Sequence, residues 1–258
     1  LSQLLSILTP QHGGTFIDCT FGAGGYSSAI LKYPNTNVLA IDRDKNVSLL
    51  ANQLTRKFPK RFTFINDKFS NIEKITDLKI KPAGIIFDLG FSTDQIRDYR
   101  RGFSFNSSGP LDMQMGENTI SASEVINNFS ATNLTTIFKR FGEEKDSKKI
   151  VREIIFARRK NKIKYTVDLV NIIKKIKKNY LYSKINPATK VFQALRIFVN
   201  KEITEIIMGL ISATKLVKEN GKIVVVSFHS IEDRIIKKYF KIYSNLESKP
   251  SRYIPSDN

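Results

Sequence analysis

The chain has no tryptophan, one cysteine, two histidines and three methionines in 258 residues. A single Cys19 excludes a disulfide framework and a cysteine-built zinc site, and it suits a reducing compartment. His12 and His229 stand far apart and neither has partners at metal-ligand spacing, so no metal is expected. No uninterrupted apolar run approaches the roughly 20 residues that span a bilayer, and Leu1 to Pro10 lack the basic start of a secretory signal. The expectation is a soluble cytoplasmic protein with no membrane partner. At this length it can bury a core unaided, as one large domain or two small ones.

Negative charge is also scarce. Against 42 Lys and Arg there are only 24 Asp and Glu, a net +18, and residues 139–190 alone hold 17 basic side chains against 5 acidic ones. A field of that size attracts polyanions and makes their binding salt-sensitive. A general bias towards Lys, Asn and Ile is the competing explanation, but it does not account for the clustering.

What is present is an alternation of short β-rich runs and helical stretches. Strands are expected at Thr15–Cys19, Asn37–Asp42, Arg61–Asn66 and Gly84–Asp88, with helices opening at Ser27–Lys32 and Lys45–Lys57. Strands separated by helices require right-handed crossovers and a parallel, doubly wound sheet. The fifth strand, Lys222–Phe228, arrives only after a long helical stretch, with helices expected around Ala122–Asn128, Ala131–Phe141, Lys145–Arg159 and Val167–Lys178. Pro187–Val217 has apolar positions Phe192, Leu195, Val199, Ile203, Ile206 and Leu210 at helical steps, and should pack back on the sheet. The fold class is therefore α/β, a Rossmann-like sheet with an inserted all-helical domain. We place the sheet domain at residues 1–110 and 186–258, and the insert at 111–185.

The most informative local pattern is Asp18, then Gly22-Ala23-Gly24-Gly25, at the end of the first strand. Glycines there let the backbone turn sharply and approach a ligand, while the next helix offers free N–H groups. A dinucleotide fingerprint would need glycine where Ser27 stands, so the nicotinamide reading weakens. Asp18 suits a cofactor carrying an ammonium and a sulfonium, and Asp42, closing the second strand, can accept from ribose hydroxyls. Asp67 can meet an adenine amine, Phe69 can stack on the base, and Asp88 completes a row of four acids along the carboxyl edge. Singly each acid reads as a turn or helix cap; as a row they point to S-adenosylmethionine, with another nucleotide or no ligand as the alternatives.

Six segments resemble one known family: Phe16–Ile30, Ala40–Asp44, Ile86–Gln95, Arg101–Met115, Asn186–Asn200 and Val226–Arg234. The chain is similar, over nearly its whole length, to the bacterial 16S ribosomal RNA (cytosine-N4)-methyltransferases, the RsmH or MraW family. The resemblance implies cofactor contacts from Gly24, Gly25, Tyr26, Asp42, Phe69, Asp88 and Gln95. It also implies a helical insert that helps hold RNA, and a target cytidine in the decoding region of the small subunit. Tyr26 stands where the family has His, Asp94 where Pro is common, and Asn186 where His is usual.

Methyl transfer to an amine needs the nucleophile held in line in a water-poor pocket, with an acceptor for its N–H bonds. Asp88 is the first candidate for that acceptor and Asp112 the second. Phe91, Phe103 and Phe105 either stack on an extruded base or pack a Gly-rich loop. His229 contacts RNA, makes a structural hydrogen bond or does acid–base work. For RNA binding the candidates are Arg140, Lys148, Lys149, Arg152, Arg158, Arg159, Lys160, Lys162 and Lys164, whose alternative is a solvated helix face. The competing functions are a methyltransferase for another substrate and a ribosome-assembly RNA-binding protein with a vestigial methyltransferase fold.

Overall fold

The computed structural model describes residues 1–76, 81–116, 120–177 and 186–244, without the side chains of 93 and 94. The expected helix end at Lys178 and the Asp94 side chain lie outside the described residues. Five parallel strands, β1 (Gly14–Asp18), β2 (Thr36–Asp42), β3 (Phe62–Asn66), β4 (Gly84–Asp88) and β5 (Lys222–Val226), form one sheet in the order β3-β2-β1-β4-β5. The doubly wound sheet is thus the one expected, with strand bounds shifted by one or two residues.

Period-two burial splits the strand residues between two layers. Phe16, Val38, Ala40, Phe62 and Ile86 face α1 (Ser2–Leu8), α2 (Gly25–Ile30) and α3 (Ser48–Lys57). Ile17, Ile41, Ile85 and Phe87 face the opposite layer, which holds α4 (Ile72–Ile75) and, later in the chain, two long helices. After β4 come α5 (Thr93–Arg97) and then α6 (Ala122–Asn128), α7 (Ala131–Gly142), α8 (Ser147–Lys160) and α9 (Thr166–Ile176). These build a separate apolar cluster with α10 (Thr189–Asn200), centred on Phe138, Ile150, Leu169 and Leu195. Ser121 and Glu124 start α6 with a reciprocal capping box.

The stretch from 187 to 217 is not one helix on the sheet. Lys201 adopts φ 52, and the chain breaks into α10 and α11 (Glu202–Leu216). Phe192, Leu195 and Val199 join the helical cluster, whereas Ile206 and Leu210 pack on the sheet. The cause is tertiary. The Asn200 amide donates to the Met113 and Arg196 carbonyls and accepts from the Met115 N–H, and its own carbonyl accepts from Arg43. These bonds fix the end of α10, and the helix resumes in a new direction. Helices α1, α4, α5 and α12 (Ser230–Tyr243) lie beyond the elements expected from the periodicity. No helix among the described residues is long and apolar enough to cross a membrane.

Candidate cofactor and active site

A cavity of about 620 Å³ opens at the carboxyl ends of β1, β2 and β4, closed on one side by the first turn of α11. Its size suits a nucleoside with an amino-acid arm. Gly22, Gly25, Tyr26, Asp42, Phe69, Asp88 and Gln95 all line it. Gly22 has φ +51, and a Cβ on Gly25 would meet nothing within 4 Å, so the loop presents bare backbone to the cavity.

Two acids expected against the cofactor, Asp18 and Asp67, have their oxygens engaged elsewhere. Asp18 is fully buried and does not line the cavity; its oxygens accept from the Ser27 hydroxyl at 2.7 Å and the Thr20 N–H at 3.2 Å. Burial raises its pKa from 3.8 to about 6 against those two bonds. Asp18 therefore holds the glycine loop in shape. Gly24, at φ +75, turns the loop between the lining residues Ala23 and Gly25, and a Cβ there would lie 2.9 Å from the Phe21 ring. Asp67 accepts from the Lys68 N–H and the Asn71 amide, closing the turn Phe69–Asn71 outside the cavity. Strand-end acids satisfy nearby backbone donors first, and at these two positions that local use wins.

The remaining anchors are well defined. Asp42 accepts from the N–H groups of Gly22 and Asp44, each at 2.8 Å, and burial raises its pKa. Gln95 bridges Ser92 and Asp44 at 3.0 and 2.7 Å, and Asp44 is in turn gripped by Arg101. The Thr20 hydroxyl accepts from the Asp88 N–H, tying β4 to the glycine loop. Burial also raises the Asp88 carboxyl, opposed by a hydrogen bond from Tyr26, and its Oδ1 is buried with no partner.

Asp112 does not reach the cavity. Its half-buried carboxylate accepts from the Gln114 backbone, and its carbonyl accepts from Ala122 at the start of α6. Its loop interlocks with Arg101–Phe103: Gly102, at φ +69, leaves no room for a Cβ beside the Pro110 carbonyl, and Gly109 none beside that of Tyr99. Of the three aromatic candidates only Phe91 lines the cavity, half-exposed. It stacks on buried Phe103, with ring centroids 6.0 Å apart, while Phe105 packs edge-on against Phe192 in the helical cluster.

The far wall, built by Met115, Glu202, Glu205, Ile206, Phe228 and Glu232, was not evident in the sequence. The acids of Lys201–Glu205 sit in an otherwise apolar helical pattern, which was the one available signal. Arg196 holds both oxygens of Glu202 at 2.9 Å and lies 4.5 Å from the Phe91 ring centroid. His229 caps α12 through Nδ1 and stands 3.2 Å from Glu232 through Nε2. Its Nδ1 cap makes a structural hydrogen bond, and exposed His12 sits in a turn. Glu202, His229 and Glu232 bring ligand atoms within 4.8 Å of one another, contrary to the expectation that His229 lacks such partners. The Arg196 guanidinium already occupies Glu202 and opposes a cation there.

Most of the basic candidates, Arg140, Lys148, Lys149, Arg152, Arg159, Lys160, Lys162 and Lys164, are exposed on α7, α8 and the loop after α8. Arg158 is instead half-buried and donates to the Ile126 carbonyl at 2.6 Å, joining α8 to α6.

A model described as the MraW methylase family matches residues 1–257. A protein named ribosomal RNA small subunit methyltransferase H from Ehrlichia canis (strain Jake) is 44% identical over 245 residues, covering 93% of this chain and 82% of that one. Its namesake in Neorickettsia sennetsu (strain ATCC VR-367 / Miyayama) is 45% identical over 242 residues, at 93% and 81% coverage. That of Orientia tsutsugamushi (strain Ikeda) is 43% identical over 241 residues, at 92% and 77%.

Proposed function

The chain belongs to the MraW methylase family, and from that premise we propose that it methylates the N4 amine of a cytidine in the decoding region of 16S ribosomal RNA, with S-adenosylmethionine as donor. The observation that carries the reading is the orphaned Oδ1 of Asp88. It is a buried carboxylate oxygen without a partner, at the strand end where open α/β sheets bind ligands.

The residues fit the donor. Asp42 offers acceptors for ribose hydroxyls, Phe69 a ring for the base, and Gly22 and Gly25 bare backbone along the arm. When bound, S-adenosylmethionine supplies a methyl group on a positively charged sulfur. The protein holds the amine in line and accepts its N–H hydrogen on Asp88 Oδ1, while Tyr26 fixes the other side of that carboxylate. Phe91, backed by Phe103 and capped by Arg196, gives the target base a surface to stack on.

In this reading residues 1–110 and 186–258 form the methyltransferase domain and 111–185 the RNA-recognition insert, whose core is shared with Phe103 and α10. RNA passes along the exposed cations from Arg140 to Lys164. The C-terminal end of that strip is tied to the Tyr99–Arg101 turn by backbone contacts: Tyr165 bridges Pro110, the Gly109 carbonyl accepts from Thr166, and Gly109 abuts the Tyr99 carbonyl. Exposed Tyr165 and Tyr99 flank these contacts as stacking surfaces. Such a substrate places the activity in the cytoplasm. The test is transfer of radiolabel from S-adenosylmethionine to small ribosomal subunits, to free 16S RNA and to protein. Label in a single cytidine of the RNA supports the reading. Label in protein overturns it, and intact binding without transfer turns it towards an assembly role.

A further inference from the structure

Most carboxylates around the cavity are already engaged. In the reading above Asp42 serves the ribose and the unpartnered Oδ1 of Asp88 the target amine, while Glu202 is held by Arg196 and Glu232 accepts from the Phe228 N–H. Glu205 is different. It is 7% exposed, it lines the cavity, and its Oε2 is buried with no hydrogen-bond partner. A position in the first turn of α11 favours an acid through the helix dipole, but it does not require that acid to be buried with an unmet oxygen, which is costly.

The surroundings of Glu205 indicate its ligand. Gly209 lies one turn further along α11, on the same face, and a Cβ there would sit 2.7 Å from the Phe69 ring. Glu205 therefore shares the helix face that meets Phe69, the ring offered to the base, and Arg43 at the end of β2 feels its charge. Asp67, the acid expected to meet the adenine amine, is occupied outside the cavity.

We infer that Glu205 is the acceptor for the 6-amino group of adenine, making it the residue by which the cavity selects an amino-bearing purine nucleoside. This rests on the cofactor reading above. Binding of S-adenosylhomocysteine is compared, by calorimetry, with its analogues lacking the 6-amino group or carrying a 6-oxo group. The intact protein should prefer the adenine compound by about 10-fold or more. Glu205→Ala should bind the adenine and 6-deamino compounds within about threefold of each other, and Glu205→Gln, which can donate, should gain affinity for the 6-oxo analogue. Equal binding of all three compounds by the unaltered protein overturns the inference without any variant. An unchanged preference in folded Glu205→Ala does the same and leaves the cofactor reading standing. Failure of the unaltered protein to bind S-adenosylhomocysteine removes the cofactor reading itself.

Discussion

Arg196, on α10, closes on both carboxylate oxygens of Glu202, the first residue of α11, across the break at Lys201. Both side chains are buried, and the pair forms the seam between the helical cluster and the cavity wall. Removing one member strands the other.

Arg196→Leu leaves the Glu202 side chain buried without its partner, which should cost about 3–5 kcal/mol. Pairing it with Glu202→Leu should restore much of that loss, because two apolar groups can replace a buried ion pair. Urea unfolding of the two single variants and the double variant measures the coupling.

Asp88→Asn should lower single-turnover methylation by about 10²-fold or more while S-adenosylmethionine still binds, since an amide accepts a proton poorly. Burial raises the Asp88 carboxyl, so the unaltered enzyme should lose rate as pH falls through a value above the ordinary carboxylate range. Normal turnover with intact binding in the variant would exclude the role.

Asp18 titrates near 6 in the folded chain and at 3.8 in its unfolded reference. The folded state then holds the proton more tightly, so this group's contribution is complete below about pH 3.8 and is lost as pH rises through about 6, a difference on the order of 3 kcal/mol. Asp18→Asn should abolish that slope and be at least as stable as the unaltered protein at pH 7. Thermal melts between pH 4 and 7 read the difference, and parallel pH profiles would contradict it.

Arg159→Glu combined with Lys160→Glu should weaken RNA binding and flatten its dependence on salt. The log–log slope should fall by about 0.7–0.9 for each phosphate that is no longer neutralised. Arg158 is left intact because its bond to Ile126 supports the fold. Filter binding across a salt series tests this, and an unchanged slope would place the RNA elsewhere.

The sheet was legible because each strand ends in a polar or glycine-rich turn and its apolar residues suit burial in a layered sheet. The glycine loop with Asp42, Phe69 and Asp88 was legible for the same reason, since the ends of adjacent parallel strands must converge. The roles of Asp18 and Asp67 were not. A carboxylate aimed at a ligand and one turned back on its own loop share one sequence, and the Ser27 and Asn71 side chains decided between them. The break at Lys201 was hidden because Asn200 is held by Met113 and Met115, far away in the chain. Arg196 and Glu205 were hidden as well, being charges inside an amphipathic pattern whose partners only the fold reveals.

Strand β5 pairs with β4 from Gly84 opposite Lys222 to Asp88 opposite Val226, and the whole helical cluster is encoded between them. A chain growing from its N-terminus therefore completes β4, buried along four of its five residues, well before the neighbour that seals it exists. Until then the strand has an unpaired, apolar border able to recruit any other extended chain. How quickly the intervening helices condense and deliver β5 sets the length of that vulnerable interval during synthesis.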